Sequence, residues 1–483
     1  MDTEGKHAMV SDRVASKSVQ VICICLTLAL LASGVVVGRA AEPEAMRRAD
    51  FEALRLAIED LIDTFGPQYP GGAEYLAQLK KLETGSTAVE AEFGRLKQRA
   101  LLNNPLLDFD RLLLLKRKRG QLGLPVNHKC NAGIPQTGYD NEIAVLSPIG
   151  QQGTLRTLYQ PDAGRFVGEM DLHFDADRLL LTMPADGSWQ LHELRLDDGS
   201  LRQVTPGDCS DVDNFDGCYL PDGRIVFAST ASYTAVPCWH GQERACNLFR
   251  IDADGRNMRQ LCFDQDLDLH PAVLPNGQVI FSRWDYTGPM HIYLRPLMVM
   301  NPDGTGQRAA YGSNSYWPNA LYFPRATAGS SNKLVAIVAG YHGVPRMGEL
   351  ALLDLTRGTY EAEGVVQRIP GRGKPIEPIV RDNLVQKSWP KFLHPYPLSE
   401  KYFLVAAQLD AKKPWGIYLV DVFDNMLPIH VLPQFDLFEP IPLQKTPRPP
   451  VIPDRIDPTR DDAVVYLHDV YAGPGLDGVP RGT

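Results

Sequence analysis

Two Leu-His-Pro tripeptides, Leu269-His270-Pro271 and Leu393-His394-Pro395, each place a histidine nine residues ahead of a strongly apolar run, and Asp216 holds the matching place before a third such run. Imidazole and carboxylate groups converging from separate segments could hold a divalent metal such as zinc, or an anion. The plainer use of the same residues is a turn in which each imidazole bonds a neighbouring carbonyl. Asp264-Gln265-Asp266-Leu267-Asp268 opens like a calcium loop, but Leu269 and Pro275 stand where that loop needs glycine and glutamate, which favours a solvated turn. Tyr341-His342-Gly343 with Arg346, and Arg283-Trp284-Asp285-Tyr286, put polar and aromatic groups on loops that suit a ligand mouth. Neither Gly-x-Ser-x-Gly nor His-Glu-x-x-His occurs, so serine-hydrolase and zinc-protease chemistry find no support.

The elements that would position these residues recur. A tight turn followed by an apolar strand appears at Asp175–Thr182, Pro221–Ala228, Pro275–Ser282, Ser331–Val338 and Ser399–Ala406. Leu179, Ile225, Val279, Leu334 and Phe403 are then equivalent. A second turn rich in Asp, Asn and Gly follows each in phase, as in Leu196-Asp-Asp-Gly199 and Met300-Asn-Pro-Asp-Gly304. Asp and Asn bond their own backbone in such turns and Gly supplies positive φ, so each turn joins antiparallel strands. Five four-stranded units follow. A sixth is assembled from Asn141–Leu146 and Ala463–Leu467, closing the ring and removing open edges. The reading is mainly β: a six-bladed β-propeller of the TolB/WD-like kind, preceded by a small α-helical domain. A β-solenoid is the alternative, but its repeats run shorter than about 50 residues. Innermost strands converge on the propeller axis, so Asp216, His270 and His394 would meet there.

Residues 1–40 read as an export signal. Val19–Val37 is almost wholly apolar, and Gly38-Arg39-Ala40 offers a cleavage site; uncleaved, the run would tether the chain to a membrane. Either way the rest lies outside the cytoplasm, in the periplasm or beyond. Helical spacing in Phe51–Ile62, Tyr75–Leu82 and Thr87–Leu101 assigns 41–120 to the helical domain, with the apolar run Leu106–Leu115 closed by Lys116–Arg119; the propeller takes 138–470. Six cysteines follow the signal, and in an exported chain Cys209 with Cys218 and Cys238 with Cys246 are the simplest disulfides. The net charge of -9, with no basic stripe, excludes nucleic acid as a partner.

Asp268–Phe281, with the Asp-Ala-Asp-Gly turn, resembles the repeat of TolB-type propellers. Thr137–Ile143, Phe281–Thr287, Gly340–Arg346, Phe392–Phe403 and Asp469–Gly482 resemble the hydrazine synthase alpha-subunit-like family expanded in planctomycetes. That resemblance, from about Leu106 onward, implies a propeller related to a haem-bearing redox subunit. It also implies a cysteine-ligated zinc, for which Cys238 is the matching position. Cys-x-x-Cys-His is absent, so no covalent c-type haem is expected in this chain, and 471–483 reads as the start of a shortened C-terminal region. The expected function is a binding or scaffold module, non-catalytic by itself, holding a protein or small-molecule partner at a propeller face. The alternative is a subunit of a periplasmic haem-dependent redox enzyme.

Overall fold

The structure, a computed structural model, describes residues 41–83, 89–286, 294–312, 315, 317–457 and scattered residues between 459 and 482. The export signal lies outside the described residues. The chain divides into a short unit, 1–52, and a unit of 53–483 that carries everything below. No described helix is long and apolar enough to cross a membrane.

Six four-stranded antiparallel sheets form a β-propeller. From the innermost strand outward, blade 1 is Gly168–Leu172, Arg178–Ala185, Ser188–Arg195 and Leu201–Gln203; blade 2 is Asn214–Tyr219, Ile225–Ser229, Asn247–Ile251 and Arg259–Gln260. Blade 3 is Asp268–Val273, Val279–Arg283, Leu297–Met300 and Arg308–Tyr311; blade 4 is Ala320–Ala326, Lys333–Ala339, Glu349–Asp354 and Val365–Ile369. Blade 5 is Lys391–Pro397, Tyr402–Gln408, Gly416–Asp421 and Met426–His430. Leu179, Ile225, Val279, Leu334 and Phe403 all fall on second strands. Those strands are nearly continuous apolar runs because both faces pack against neighbouring sheets.

Blade 6 joins the two ends of the chain, with the inner strand Phe435–Pro442 followed outward by Leu112–Lys118, Asn141–Ser147 and Thr154–Tyr159. This corrects the expected closure. Asn141–Leu146 does belong to the sixth blade, but the closing strand is 435–442; most of 463–467 lies outside the described residues. Leu112–Leu115 is a strand rather than the end of a helical domain, since all four leucines are buried between sheets.

Three helices, Ala41–Phe65, Gly72–Glu83 and Val89–Leu102, precede the ring. From residue 53 onward the first helix docks on blade 5. The Tyr402 hydroxyl donates to Asp60 Oδ2 (2.9 Å), and Asn425 Nδ2 donates to the Ala53 carbonyl (2.8 Å). Beyond blade 6, residues 443–457 form a proline-rich strap across one face. Thr446 N–H donates to Phe174 O, Arg448 pairs with Asp175, and Asp454 receives Arg224 and Arg250 together at 2.8–2.9 Å. The strap crosses the ends at which the inner strands finish, called here the upper face.

The expected disulfides do not form. Cys209, Cys218 and Cys246 are free thiols. Cys209 sits ahead of the inner strand of blade 2 and Cys218 near its far end, so a strand rising about 3.3 Å per residue carries them apart. The buried Cys246 thiol instead meets Cys130 and the Asp268 carbonyl.

Candidate functional site: the axial channel

Each inner strand carries a bulge at the same height, where its pairing with the second strand slips. The bulged residues are Glu169, Asp216, His270, Phe323, His394 and Glu439 in blades 1 to 6. All six have φ between 50° and 56°, a conformation L-residues adopt at some cost. A proline follows four of them, and Met170 and Gly217 follow the other two. These six positions form a ring around the axis. It contains all three residues read from the sequence, with Glu169, Phe323 and Glu439 besides.

Half of the ring is a hydrogen-bond relay. Glu439 accepts the Glu169 N–H (3.0 Å) and the Met170 N–H (2.6 Å). Glu169 accepts the Asp216 N–H (3.0 Å) and, from below, Asn131 Nδ2 (2.9 Å). Asp216 accepts the His270 N–H (2.6 Å) and lies 3.0 Å from His270 Nδ1. Each carboxylate thus bonds the next blade's bulge, where the slipped ladder leaves an amide unpaired. The other half is aromatic: Phe323 stands between the imidazoles, its centroid 4.0 Å from His270 and 4.6 Å from His394. The residues expected to hold a metal are therefore divided. Asp216 and His270 meet; His394 is set apart by a phenyl ring.

Burial sets the protonation. It pushes Glu169 up to about 8, with Asp216 adding to the effect, and holds His394 down at about 3. Burial also raises Glu439, against the amides it accepts. Burial would raise Asp216 too, yet His270 and Arg346 leave it below the ordinary carboxyl range. His270, 5% exposed, is held below its ordinary value by burial despite Asp216. Among the described residues, its Nε2 and the Nδ1 of His394 have no hydrogen-bond partner.

The ring encloses a small cavity of about 60 Å³ that reaches Arg325 and Tyr396. Above it, beneath the strap, opens a vestibule of about 480 Å³. Its wall is largely apolar, with Phe174, Val273, Tyr396, Ile441 and strap prolines, and Met170, Arg325, Tyr396 and Ile441 line both spaces. Arg325 has no ion pair within 4 Å and no hydrogen bond from its guanidinium among the described residues. Asp171 stands in the vestibule wall, its carboxyl pushed up to about 6 by burial although Arg325 pulls it down. The lower end is plugged by residues 127–131, where Asn127 bonds the Arg346 N–H (2.7 Å) and Asn131 reaches Glu169.

The other candidates fall elsewhere. Cys238 lies in a short turn, Pro237–Trp239, on a blade 2 loop at the lower face, and its side chain is outside the described set. Its neighbour Trp239 stacks on His128 at 4.9 Å. Cys262, Asp264 and Asp268 present ligand atoms within 4.8 Å of one another, the one such trio among the described residues. Arg283 stands between the two carboxylates, 2.5 Å from Asp264 and 2.8 Å from Asp268, so a guanidinium already fills the place a cation would take. Asp266 accepts the Tyr286 N–H.

Register explains what the sequence disclosed. Counting nine residues back from the aligned strand finds Asp216, His270 and His394, but the turns of blades 1 and 4 are longer, which hides Glu169 and Phe323. Glu439 precedes its partner strand only in space. The Pro after the ring residue in Phe323-Pro324 and Glu439-Pro440 was the signal that could have found both.

No family model and no curated protein matches this sequence. Among solved structures, hydrazine synthase of Kuenenia stuttgartiensis is similar, with a TM-score of 0.55 at 17% identity over 71% of this chain and 48% of that one. TolB from Acinetobacter baumannii gives 0.45 at 11% identity, covering 74% and 73%. The chain spans about half the length of the hydrazine synthase chain it matches. The likeness to hydrazine synthase concerns the fold alone, a six-bladed β-propeller.

Proposed function

We propose that this chain is a binding propeller of the extracytoplasmic space, related to the alpha subunit of hydrazine synthase and non-catalytic by itself. Its partner is a small molecule with an apolar body and an anionic head, taken into the vestibule from the upper face. The observation that carries this reading is Arg325, a guanidinium without an ion-pair partner on the wall shared by the vestibule and the ring cavity. A space of several hundred Å³ with largely apolar walls and a few polar groups, here Arg325, Asp171 and Arg448, is the usual form of a small-molecule site. The ring itself is a poor catalyst, because its carboxylates are spent on backbone amides.

Calorimetry with octanoate and phenylacetate tests this, with octanol and phenethylamine as controls. Both carboxylates should bind at least tenfold tighter than the controls, and Arg325→Gln should abolish the difference. Equal affinity for octanoate and octanol overturns the reading.

The second reading, a scaffold for haem carried by another domain or chain, rests on the likeness to hydrazine synthase. A pyridine-haem assay on protein purified with its native partners tests it, and a blank Soret region removes it. Elemental analysis of the same sample tests zinc or calcium at Asp216, His270, His394 and Cys238.

A further inference from the structure

Below the ring, two guanidiniums are enclosed without an acid to match them. Arg295 is 1% exposed and Arg346 is 0% exposed, and neither has a carboxylate within 4 Å among the described residues. Each uses one nitrogen on the plug: Arg295 Nη2 donates to Asn127 O (3.0 Å) and Arg346 Nη2 donates to Lys129 O (2.9 Å). The Nε and Nη1 of both residues are buried with no acceptor of good geometry among the described residues, and the buried Tyr322 hydroxyl has only the Arg295 guanidinium beside it, with Arg346 close enough for its charge to be felt.

Their neighbours do not supply what is missing. The Arg295 central carbon lies over the rings of Trp284 and Tyr341, 4.4 and 4.8 Å from their centroids. A guanidinium's N–H bonds lie in its plane, so cation–π contact leaves those donors open. Asp216 and Glu169, whose carboxyls feel Arg346, and Asp266, which feels Arg295, each give an oxygen to a backbone amide, of His270, Asp216 and Tyr286 respectively, although Asp266 Oδ1 is itself buried without a partner among the described residues. Buried donors almost always find a partner, and buried guanidiniums are the preferred donors for flat or compact anions.

We propose that Arg295, Arg346 and Tyr322 form an anion site beneath the ring, which takes a small monovalent anion such as a halide, nitrate or formate. The anion accepts the in-plane N–H groups of both guanidiniums and the tyrosine hydroxyl, and so locks the plug, which the same two arginines hold from the other side. The site is separate from the vestibule, with the ring between them.

Protein prepared free of chloride and crystallised in sodium bromide should show one anomalous peak within about 4 Å of both guanidiniums. Its melting temperature at fixed ionic strength should rise with chloride, bromide or formate but not with gluconate, a bulky anion. In Arg346→Gln that dependence should vanish. If the variant fails to fold, the wild-type measurements decide alone. A melting temperature indifferent to the anion, with no bromide peak, means that water bridges the donors and overturns the proposal. A bromide peak only on the surface overturns it as well.

Discussion

The two halves of the axial ring solve one backbone problem in different ways. In blades 6, 1 and 2 a carboxylate reaches across to the amide of the next bulge, so Glu439, Glu169 and Asp216 stitch neighbouring sheets together. In blades 3 to 5, His270, Phe323 and His394 pack ring against ring, and apolar contact replaces the stitch. The carboxylate half includes blade 6, whose inner strand carries Glu439 and is joined to the other three strands of that blade by hydrogen bonds alone. The directional bonds therefore sit where the chain gives least help. The aromatic half lies within a continuous run of blades and can rely on packing.

The largest expected effect breaks the stitched side. Glu439→Ala leaves two buried amides without an acceptor and should cost about 3–5 kcal/mol in urea unfolding, on the scale of one to three per orphaned group. If it costs no more than a surface change, the relay is ornamental.

The second test is pH, and the two halves should respond oppositely. His394 is neutral in the fold down to about 3 while the unfolded chain protonates near 6.5, so stability falls as pH drops from 6.5 towards 3. Glu169 keeps its proton up to about 8 whereas an unfolded glutamate loses it near 4.5, so stability falls as pH rises from 4.5 to 8. His394→Phe should flatten the acid limb, since Phe323 shows that the same left-handed bulge accepts a phenyl ring, and Glu169→Gln should flatten the alkaline limb. Melting temperatures between pH 4 and pH 8.5 would read both, and the comparison fails if the two variants change the same limb.

A smaller effect is expected on the packed side, where Phe323→Leu should cost only about 1 kcal/mol because it removes contacts and orphans no polar group. A loss as large as that of Glu439→Ala would erase the distinction. Smallest of all is Asp454→Asn, which loosens the strap at an exposed carboxylate. It should leave the melting temperature within about 2 °C, as surface ion pairs usually do, yet speed trypsin cleavage at Lys445 or Arg455.

The fold was legible in the sequence because its turns are chemically explicit. Pro221-Asp222-Gly223 and Pro275-Asn276-Gly277 announce their strands directly, and five blades follow from them in register. Blade 6 was half legible, because Leu112–Leu115 has no turn of that kind beside it and its inner partner lies at the far end of the chain. The ring was visible where the turns have equal length and invisible where an extra residue or two shifts the count. Arg346 drew notice for its loop, but nothing in one dimension says that it lies buried beside Arg295. Pairings such as Cys209 with Cys218 failed for the opposite reason, as nearness in sequence was taken for nearness in space.

The make-up of blade 6 also fixes the order in which the ring can exist. Its three outer strands are synthesised before any other blade, and its inner strand only after all five. Throughout that interval Leu112–Lys118, which itself contains four leucines, is an open β-edge, the form most prone to pair with another chain. The run Lys116-Arg117-Lys118-Arg119 places positive charge along the end of this waiting edge. Until Phe435–Pro442 arrives, mutual repulsion between copies guards what a hydrogen-bonded neighbour will later cover.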